Sequence, residues 1–226
     1  MPSKLPKLRL DWVDGEAARF ACKRWHYTRT MPVAPVKIGI WEDEKFAGVI
    51  LFGVGSGRAT HGGRFGLKKH HDIAELCRIA MAPWHQTPVS RCLAIATRML
   101  KKQSPNLRML ISFADIAQGH HGGIYQANGW LYLGVTESDL AFIVNGKRKH
   151  NKTIRIAVAN TRRDRPLAER RKPAIDWLHE HIDPNARRVE LPGKHRYVLP
   201  LDDEMRSRLL PMVLPYPKRE KVLVDA

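Results

Sequence analysis

The stretch Leu107–Phe113 constrains the fold more than any other segment, because it is almost entirely apolar. A strand that is apolar at consecutive positions is buried on both faces, which places it in the middle of a sheet covered by helices. Its neighbours supply that cover. Val89–Lys102 is amphipathic at helical period, with Thr87 as its expected N-cap and Pro88 at the first helical position. After the strand come a polar loop (Ala114–Gly123), a short helix (Ile124–Ala127) stopped by Asn128-Gly129, and a strand over Trp130–Val135. Upstream, Leu8–Val13 alternates as a strand does, Asp14 caps a helix over Gly15–Trp25, and Lys37–Trp41 with Phe46–Phe52 forms a hairpin about Glu42-Asp43-Glu44. A glycine-rich loop (Gly53 to Gly66) then leads to a strand over Ile73–Met81. The order β-α-β-β, loop, β-α-β-α-β defines an α/β fold, a mixed sheet with crossover helices.

Past Val144 the pattern weakens. Phe142–Val144 and Thr153–Val158 are expected to pair across Asn145-Gly146, Ala174–Glu180 to be helical, and Tyr197–Leu201 to be a strand. Recurrent prolines from Pro166 onward suggest an irregular, surface-hugging course. The expected division is a core over 1–144 and a basic C-terminal extension over 145–226, packed on that core.

Charge narrows the partner. Thirty-nine Lys and Arg stand against 22 Asp and Glu, a formal charge of +17, and residues 145–226 are about twice as densely positive as the rest. Their clusters include Lys147-Arg148-Lys149-His150, Arg162-Arg163-Asp164-Arg165, Arg170-Arg171-Lys172, Arg187-Arg188 and Lys194-His195-Arg196. One such cluster is a solvated surface; recurrence points to a phosphate-tracking face that is sensitive to salt and blind to sequence. No apolar run reaches the roughly 20 residues of a membrane span, the Lys-rich start has no apolar signal core, and three cysteines form no CxxC pair. These features lead us to expect a soluble cytoplasmic protein with no membrane partner.

Several constellations carry chemistry. Trp25-His26-Tyr27 closes the first helix, where two adjacent polar rings suit ligand binding or proton transfer, or form an aromatic patch with His26 bonded to a carbonyl. Asp115 follows the C-terminal end of the apolar strand, where open α/β sheets place their ligand crevice. The run Gln118-Gly119-His120-His121-Gly122-Gly123 is either a flexible loop or a close backbone approach. In Glu75-Leu76-Cys77-Arg78, strand alternation sets Glu75, Cys77 and Ile79 on one face and Leu76, Arg78 and Ala80 on the other, and Arg78 needs a carboxylate or a ligand. Thr87 and Ser90 open the following helix as caps or as an anion site. The loop Gly53-Val54-Gly55-Ser56-Gly57 opens no helix, which excludes a dinucleotide fingerprint, and no His–Cys spacing suits zinc.

The element order, with Leu107–Ile111 and then Ile124-Tyr125-Gln126-Ala127-Asn128-Gly129-Trp130, resembles the acyl-CoA-dependent N-acetyltransferase (GNAT) superfamily. Where that superfamily carries Q/R-x-x-G-x-G/A for the coenzyme pyrophosphate, this chain reads His85-Gln86-Thr87-Pro88-Val89-Ser90 without glycine. A narrower resemblance rests on Lys23 to Pro32, on Phe113-Ala114-Asp115 with Gln118 to Ala127, and on Lys194-His195-Arg196-Tyr197-Val198. Together these are similar to the Mom family of phage DNA-modification proteins, over roughly residues 10–200. The resemblance implies an enzyme that converts adenine in double-stranded DNA to N6-carbamoylmethyladenine and so protects phage DNA from host restriction. It puts the family's His-Tyr pair on His26 and Tyr27, its loop Asp on Asp115, its strand Arg on Arg78 and a phosphate-gripping Ser on Ser90. It further implies acetyl-CoA, iron and the host cytoplasm as location. His26, Tyr27 and Asp115 form a mixed N/O set that suits a metal such as Fe(II) and equally suits orienting and deprotonating the exocyclic amine without one.

On this reading Arg58, Arg64, Arg162, Arg163, Arg165, Lys194 and Arg196 hold DNA phosphates, and Trp25, Tyr27 or Trp84 stacks on the extruded base. The alternatives are an N-acyltransferase acting on a protein or small amine, and a DNA-binding protein without catalysis. A methyltransferase is disfavoured, since no D/N/S-P-P-Y/F tetrad follows a strand. Oligomeric state is open, with a homodimer among the possibilities.

Overall fold

Asp14 opens the first helix by accepting the Ala17 amide at 2.8 Å, satisfying one of the donors that every helix start leaves unpaired. The structure is a computed structural model describing residues 5–55, 62–67, 70–164, 166 and 173–218. Strand β1 (Leu8–Trp12) precedes this helix, α1 (Gly15–Trp25). The hairpin β2 (Val36–Glu42) and β3 (Lys45–Gly53) turns at Asp43 and Glu44, both at positive φ. Strand β4 (Ile73–Met81), helix α2 (Val89–Gln103), β5 (Met109–Asp115), the short helix α3 (Gly123–Gln126) and β6 (Leu131–Val135) follow. This is the order expected from the sequence, and the fold is α/β, a mixed sheet flanked by helices.

The described residues fall into two units. One holds the chain up to Ala114, His120–Val135 and the return from His195 onward; the other holds Asp115–Gly119 and Thr136–Lys194.

In the first unit seven strands form one sheet in the order β1-β2-β3-β4-β5-β10-β6, where β10 is Lys194–Pro200. The β4–β5 pair is parallel, and β1 through β4 pair antiparallel in turn. The apolar strand behaves as its sequence demands: Met109, Leu110 and Ile111 are all fully buried. Leu110 packs with Leu93 and Ala96 of α2, whereas Met109 and Ile111 pack on the other side with Met205 and Leu209 of a late helix, Asp203–Leu209. A third cluster joins Ala18, Ala21 and Cys22 of α1 to Val49, Leu51 and Ala80 of the sheet.

The late strand and helix correct the expected division at residue 144. Tyr197 and Val198 of β10 are fully buried, because the strand fills the slot between β5 and β6. Asp202 then ties the late helix to β5, accepting both Arg108 Nε (2.9 Å) and Nη2 (2.8 Å) while capping the helix at the Met205 amide. The Arg108 guanidinium holds the Asp202 carboxyl at a pKa of about 2. The prolines punctuate this segment without excluding it from the core.

The second unit is a three-stranded sheet in the order β8-β7-β9, with β7 at Asp139–Val144, β8 at Lys147–His150 and β9 at Arg187–Leu191. Helices α4 (Asn151–Thr161) and α5 (Ala174–His181) pack on it through Ile154, Val158, Trp177 and Leu178 against Phe142 and Val144. The turn at Asn145-Gly146 is where the sequence places it, with both residues at positive φ. Its partner strand is not Thr153–Val158, which lies in α4. A two-residue turn pairs its immediate neighbours, so Val144 meets Lys147 and the all-polar Lys147–His150 becomes the strand. His150 Nδ1 then accepts the Lys152 amide and starts the helix.

Among the described residues no helix is long and apolar enough to cross a membrane. The glycine-flanked histidines are a close backbone approach. Gly122 sits at φ +82, and a Cβ there would lie 2.2 Å from Tyr197 Cε2, whose hydroxyl donates to the His121 carbonyl at 2.6 Å. Gly122→Ala is expected to cost about 2–5 kcal/mol by combining a left-handed backbone with overpacking. Gly129→Ala, at φ +68 with open space around it, is expected to cost only about 1 kcal/mol. Urea unfolding of the two variants checks this; equal costs would remove the clash from the account.

Candidate active site

The two parallel strands separate where the site begins. β4 and β5 pair at Ile73–Met109, Ala74–Leu110 and Glu75–Ile111. Beyond this, Ser112 Oγ donates to the Leu76 carbonyl at 2.9 Å and lies 2.9 Å from the Tyr125 hydroxyl. On its other edge β4 carries a bulge, since Leu51 faces Arg78 but Phe52 faces Leu76, leaving Cys77 as the extra residue. The bulge corrects the simple alternation expected here. Leu76 packs with Ile79 in the α2-side cluster, whereas Ala80, an even-numbered residue like Leu76, lies against α1. Burial pushes the Cys77 thiol up to a pKa of about 12, so it is no nucleophile at neutral pH.

Arg78 reaches the loop after α1, where its Nη1 donates to Thr28 Oγ1 and to the Thr30 carbonyl. No carboxylate partner is present among its bonds to described residues, and its Nε is buried without a hydrogen-bond partner there. His26 is the C-cap of α1, its backbone N–H donating to Cys22 O. Its Nδ1 accepts the Thr28 amide at 3.1 Å and lies 3.0 Å from Thr28 Oγ1. An Nδ1 that accepts an amide leaves the ring proton on Nε2. Burial first, then the Arg78 and His120 charges, lower the His26 pKa to about 4, so the ring is neutral at pH 7. Its free edge is therefore a hydrogen-bond donor. The Tyr27 ring is 47% exposed, with its centroid 4.3 Å from that of His26 and 5.9 Å, edge-on, from that of His120.

The structure thus brings together His26, Tyr27 and Arg78 from the expected set. Thr28, Thr30 and His120 join them without having been singled out as partners; the run Thr28-Arg29-Thr30 beside the His-Tyr pair was the available signal. Trp25 is committed to packing against Phe20, Phe46 and Trp84, and Trp84 carries Lys45 Nζ 4.2 Å above its ring. Asp115 is the last residue of β5, and its carboxylate accepts the Ala117 amide at 3.1 Å, starting a turn in the second unit.

The implied metal fits these residues poorly. Among the described residues no three His, Cys, Asp or Glu side chains are placed to hold a metal ion. At His26 the Nδ1 lone pair is engaged and the nearest strong charge is a guanidinium, so the donor chemistry does not suit a cation.

For coenzyme A, the cap of α2 is Pro88 rather than Thr87 and makes no side-chain bond, while Ser90 sits half-buried in the first turn. The amides before that helix are already taken. Glu42, 7% exposed, accepts the Gln86 amide at 2.9 Å and the Thr87 amide at 2.7 Å, and Pro88 has no N–H. Burial alone raises the Glu42 pKa, but hydrogen bonds from Thr87 and Gln86 and the nearby His85 outweigh it and hold the carboxyl below its usual range. A built-in carboxylate therefore occupies the amides that precede α2. Sequence pattern placed Glu42 in a hairpin turn and gave no signal of this role.

The expected phosphate contacts are redistributed. Arg162 and Arg196 are only 4% and 5% exposed, which corrects their assignment to a surface; Arg162 Nη2 donates to the Pro173 carbonyl. Arg64 and Arg163 are exposed and Lys194 is half-buried, whereas Arg58, Arg165 and the Arg170-Arg171-Lys172 run lie outside the described residues. Within the second unit Arg155, Arg162 and Arg188 line one cavity of about 470 Å³ with Phe142, Val158 and Ala174.

Comparison with known proteins gives one family. The profile of the Mom protein family matches residues 7–218. No curated protein matches the chain. Solved structures similar in fold include FeeM, an N-acyl amino acid synthase from uncultured soil microbes, at 12% identity, with 91% of this chain and 97% of that one covered and a TM-score of 0.46. Others are spermidine/spermine N-acetyltransferase SpeG from Vibrio cholerae, with manganese ions (12%; 89% and 96%; 0.44), and a Bacillus subtilis acetyltransferase in complex with CoA (13%; 87% and 100%; 0.41).

Proposed function

This chain belongs to the Mom protein family, and on that premise we propose that it converts adenine in double-stranded DNA to N6-carbamoylmethyladenine, shielding the DNA from restriction. The family match over residues 7–218 carries this reading. The site chemistry is compatible with it. An adenine in a duplex presents its amino group only after extrusion from the stack, and the half-exposed Tyr27 ring offers a face for the extruded base. His26, neutral with its proton on Nε2, donates a hydrogen bond to a ring nitrogen of adenine, which orients the base. Because His26 is a donor in this state, it orients the base and does not take the N6 proton; the family resemblance assigns that step to its loop carboxylate, Asp115 in this chain. Arg78 acts through Thr28, whose hydroxyl takes the guanidinium bond and donates its own proton to His26 Nδ1.

Expression with a plasmid, digestion of the DNA to nucleosides and mass spectrometry test the reaction. An adenosine bearing the carbamoylmethyl mass is expected, and it is expected to be lost in Asp115→Ala, His26→Ala and Tyr27→Ala while each variant stays folded. Unmodified adenosine from abundant, folded wild-type protein would overturn the proposal. Full activity in all three variants would remove the site.

A further inference from the structure

The exposed side of α1 carries a stripe of charged and aromatic side chains. Its residues Glu16, Arg19, Phe20, Lys23 and Arg24 recur at helical spacing, all exposed, and the stripe runs on to Tyr27. Ala18, Ala21 and Cys22 form the opposite, buried side. On a plain solvated face, Lys23 and Arg24 would serve to answer the helix dipole. That role is already filled, because Arg29 Nη1 donates to the Lys23 and Arg24 carbonyls at the same helix end. Nor do Arg19, Lys23 or Arg24 enter the ion pairs formed among the described residues.

A solvated face also does not account for Phe20, which is 54% exposed yet joined to a row of rings. Phe20 meets Trp25 edge-on at 5.4 Å, and Trp25 meets the part-exposed Trp84 edge-on at 5.4 Å. Cations interleaved with exposed aromatic rings suit a nucleic-acid backbone: the charges follow phosphates and a ring packs on the sugars between them.

We propose that this stripe, with Arg19, Lys23 and Arg24 on phosphates and Phe20 between them, is the surface that holds the duplex beside Tyr27. The inference rests on the DNA reading above and moves the main grip from the basic C-terminal region to α1. One turn of helix separates Arg19 from Lys23, about 6 Å along the axis, which is close to the spacing of successive phosphates on one strand.

The test is duplex binding by fluorescence anisotropy across a salt series, using the full chain. In Arg19→Ala/Lys23→Ala/Arg24→Ala the slope of log K against log salt is expected to shrink by about 2–3, one phosphate contact being worth roughly 0.9, and affinity to fall at least tenfold. Phe20→Ala, which removes no charge, is expected to weaken binding and leave the slope unchanged. All four residues are exposed, so the variants are expected to fold, and circular dichroism confirms it. If wild-type protein binds the duplex and the triple variant matches it in slope and affinity, the stripe is wrong and the DNA reading stands. The same holds if the loss follows Arg163→Ala and Lys194→Ala instead. If wild-type protein binds no duplex at all, the DNA reading itself fails and the stripe falls with it.

Discussion

In Arg78→Met, the proposed adenine modification is expected to fall by about 100-fold or more, the scale of losing an oriented polar contact at a reacting centre. The guanidinium fixes the loop after α1 by donating to Thr28 Oγ1 and the Thr30 carbonyl, and Thr28 in turn fixes His26 through its hydroxyl and its amide. Methionine has comparable length and none of the donors, so the fold is expected to survive while the chain of bonds is lost. A merely structural loss would not move a titration; this one should. The Arg78 charge is the second cause of the depressed His26 pKa, after burial. Removing it is expected to raise that pKa from about 4 while burial keeps it below the ordinary value. Proton NMR of the His26 ring reads the shift directly.

The sign of the pH effect follows. A histidine whose folded pKa lies below its unfolded value binds fewer protons when folded, so its environment favours folding fully above pH 6.5 and loses ground as pH falls toward 4. In the wild-type enzyme His26 therefore imposes no limb on the activity profile near pH 6.5. In Arg78→Met an acidic limb is expected to move upward. An unchanged His26 titration together with full activity would show that Arg78 neither positions nor tunes that ring.

The parts of this fold that were legible in the sequence are those where local chemistry and tertiary need agree. Asp14 caps α1, the apolar run Met109–Ile111 is buried on both faces, and β4 spans the residues its pattern marks. His26 and Tyr27 were visible because two polar rings end a helix. What was not legible depends on distant partners. Lys147–His150 is a strand only because a two-residue turn presents it to β7, and its own residues argue for a solvated loop. Leu76 changes face because β3 lacks a residue opposite Cys77. Arg162 and Arg196 lie in basic clusters yet are buried, which charge counting along a chain cannot distinguish from exposure. Thr28 and Glu42 act through residues 50 and 45 positions away, respectively.

Glu42 leads to the second large effect. Its carboxylate pairs two consecutive backbone amides before α2, those of the exposed Gln86 and the buried Thr87, in bonds of the charge-assisted kind. Glu42→Ala leaves both donors unpaired; water can reach the exposed Gln86, but the buried Thr87 amide is left without a partner, and the variant is expected to lose about 1–3 kcal/mol of stability. Glu42→Gln keeps the shape and one acceptor oxygen without the charge, so it should lose less. The Glu42 pKa is held below its usual range when folded, so its contribution is present above the unfolded carboxylate pKa and fades as pH falls through the folded one. The gap between wild type and Glu42→Gln in thermal midpoint is therefore expected to close in acid. The same carboxylate bears on the coenzyme. With residues 86 and 87 committed to Glu42 and Pro88 lacking a donor, a pyrophosphate gains little from this loop. Coenzyme A and acetyl-pantetheine, which lacks the pyrophosphate and nucleotide, are then expected to bind within about threefold of one another, where a loop of free amides at a helix start would favour the anion strongly. Calorimetry with both compounds decides the point: a hundredfold preference for coenzyme A would mean that the pyrophosphate is gripped elsewhere on the chain or that it displaces Glu42, and a loss of that preference in Glu42→Gln would exclude displacement as its only cause.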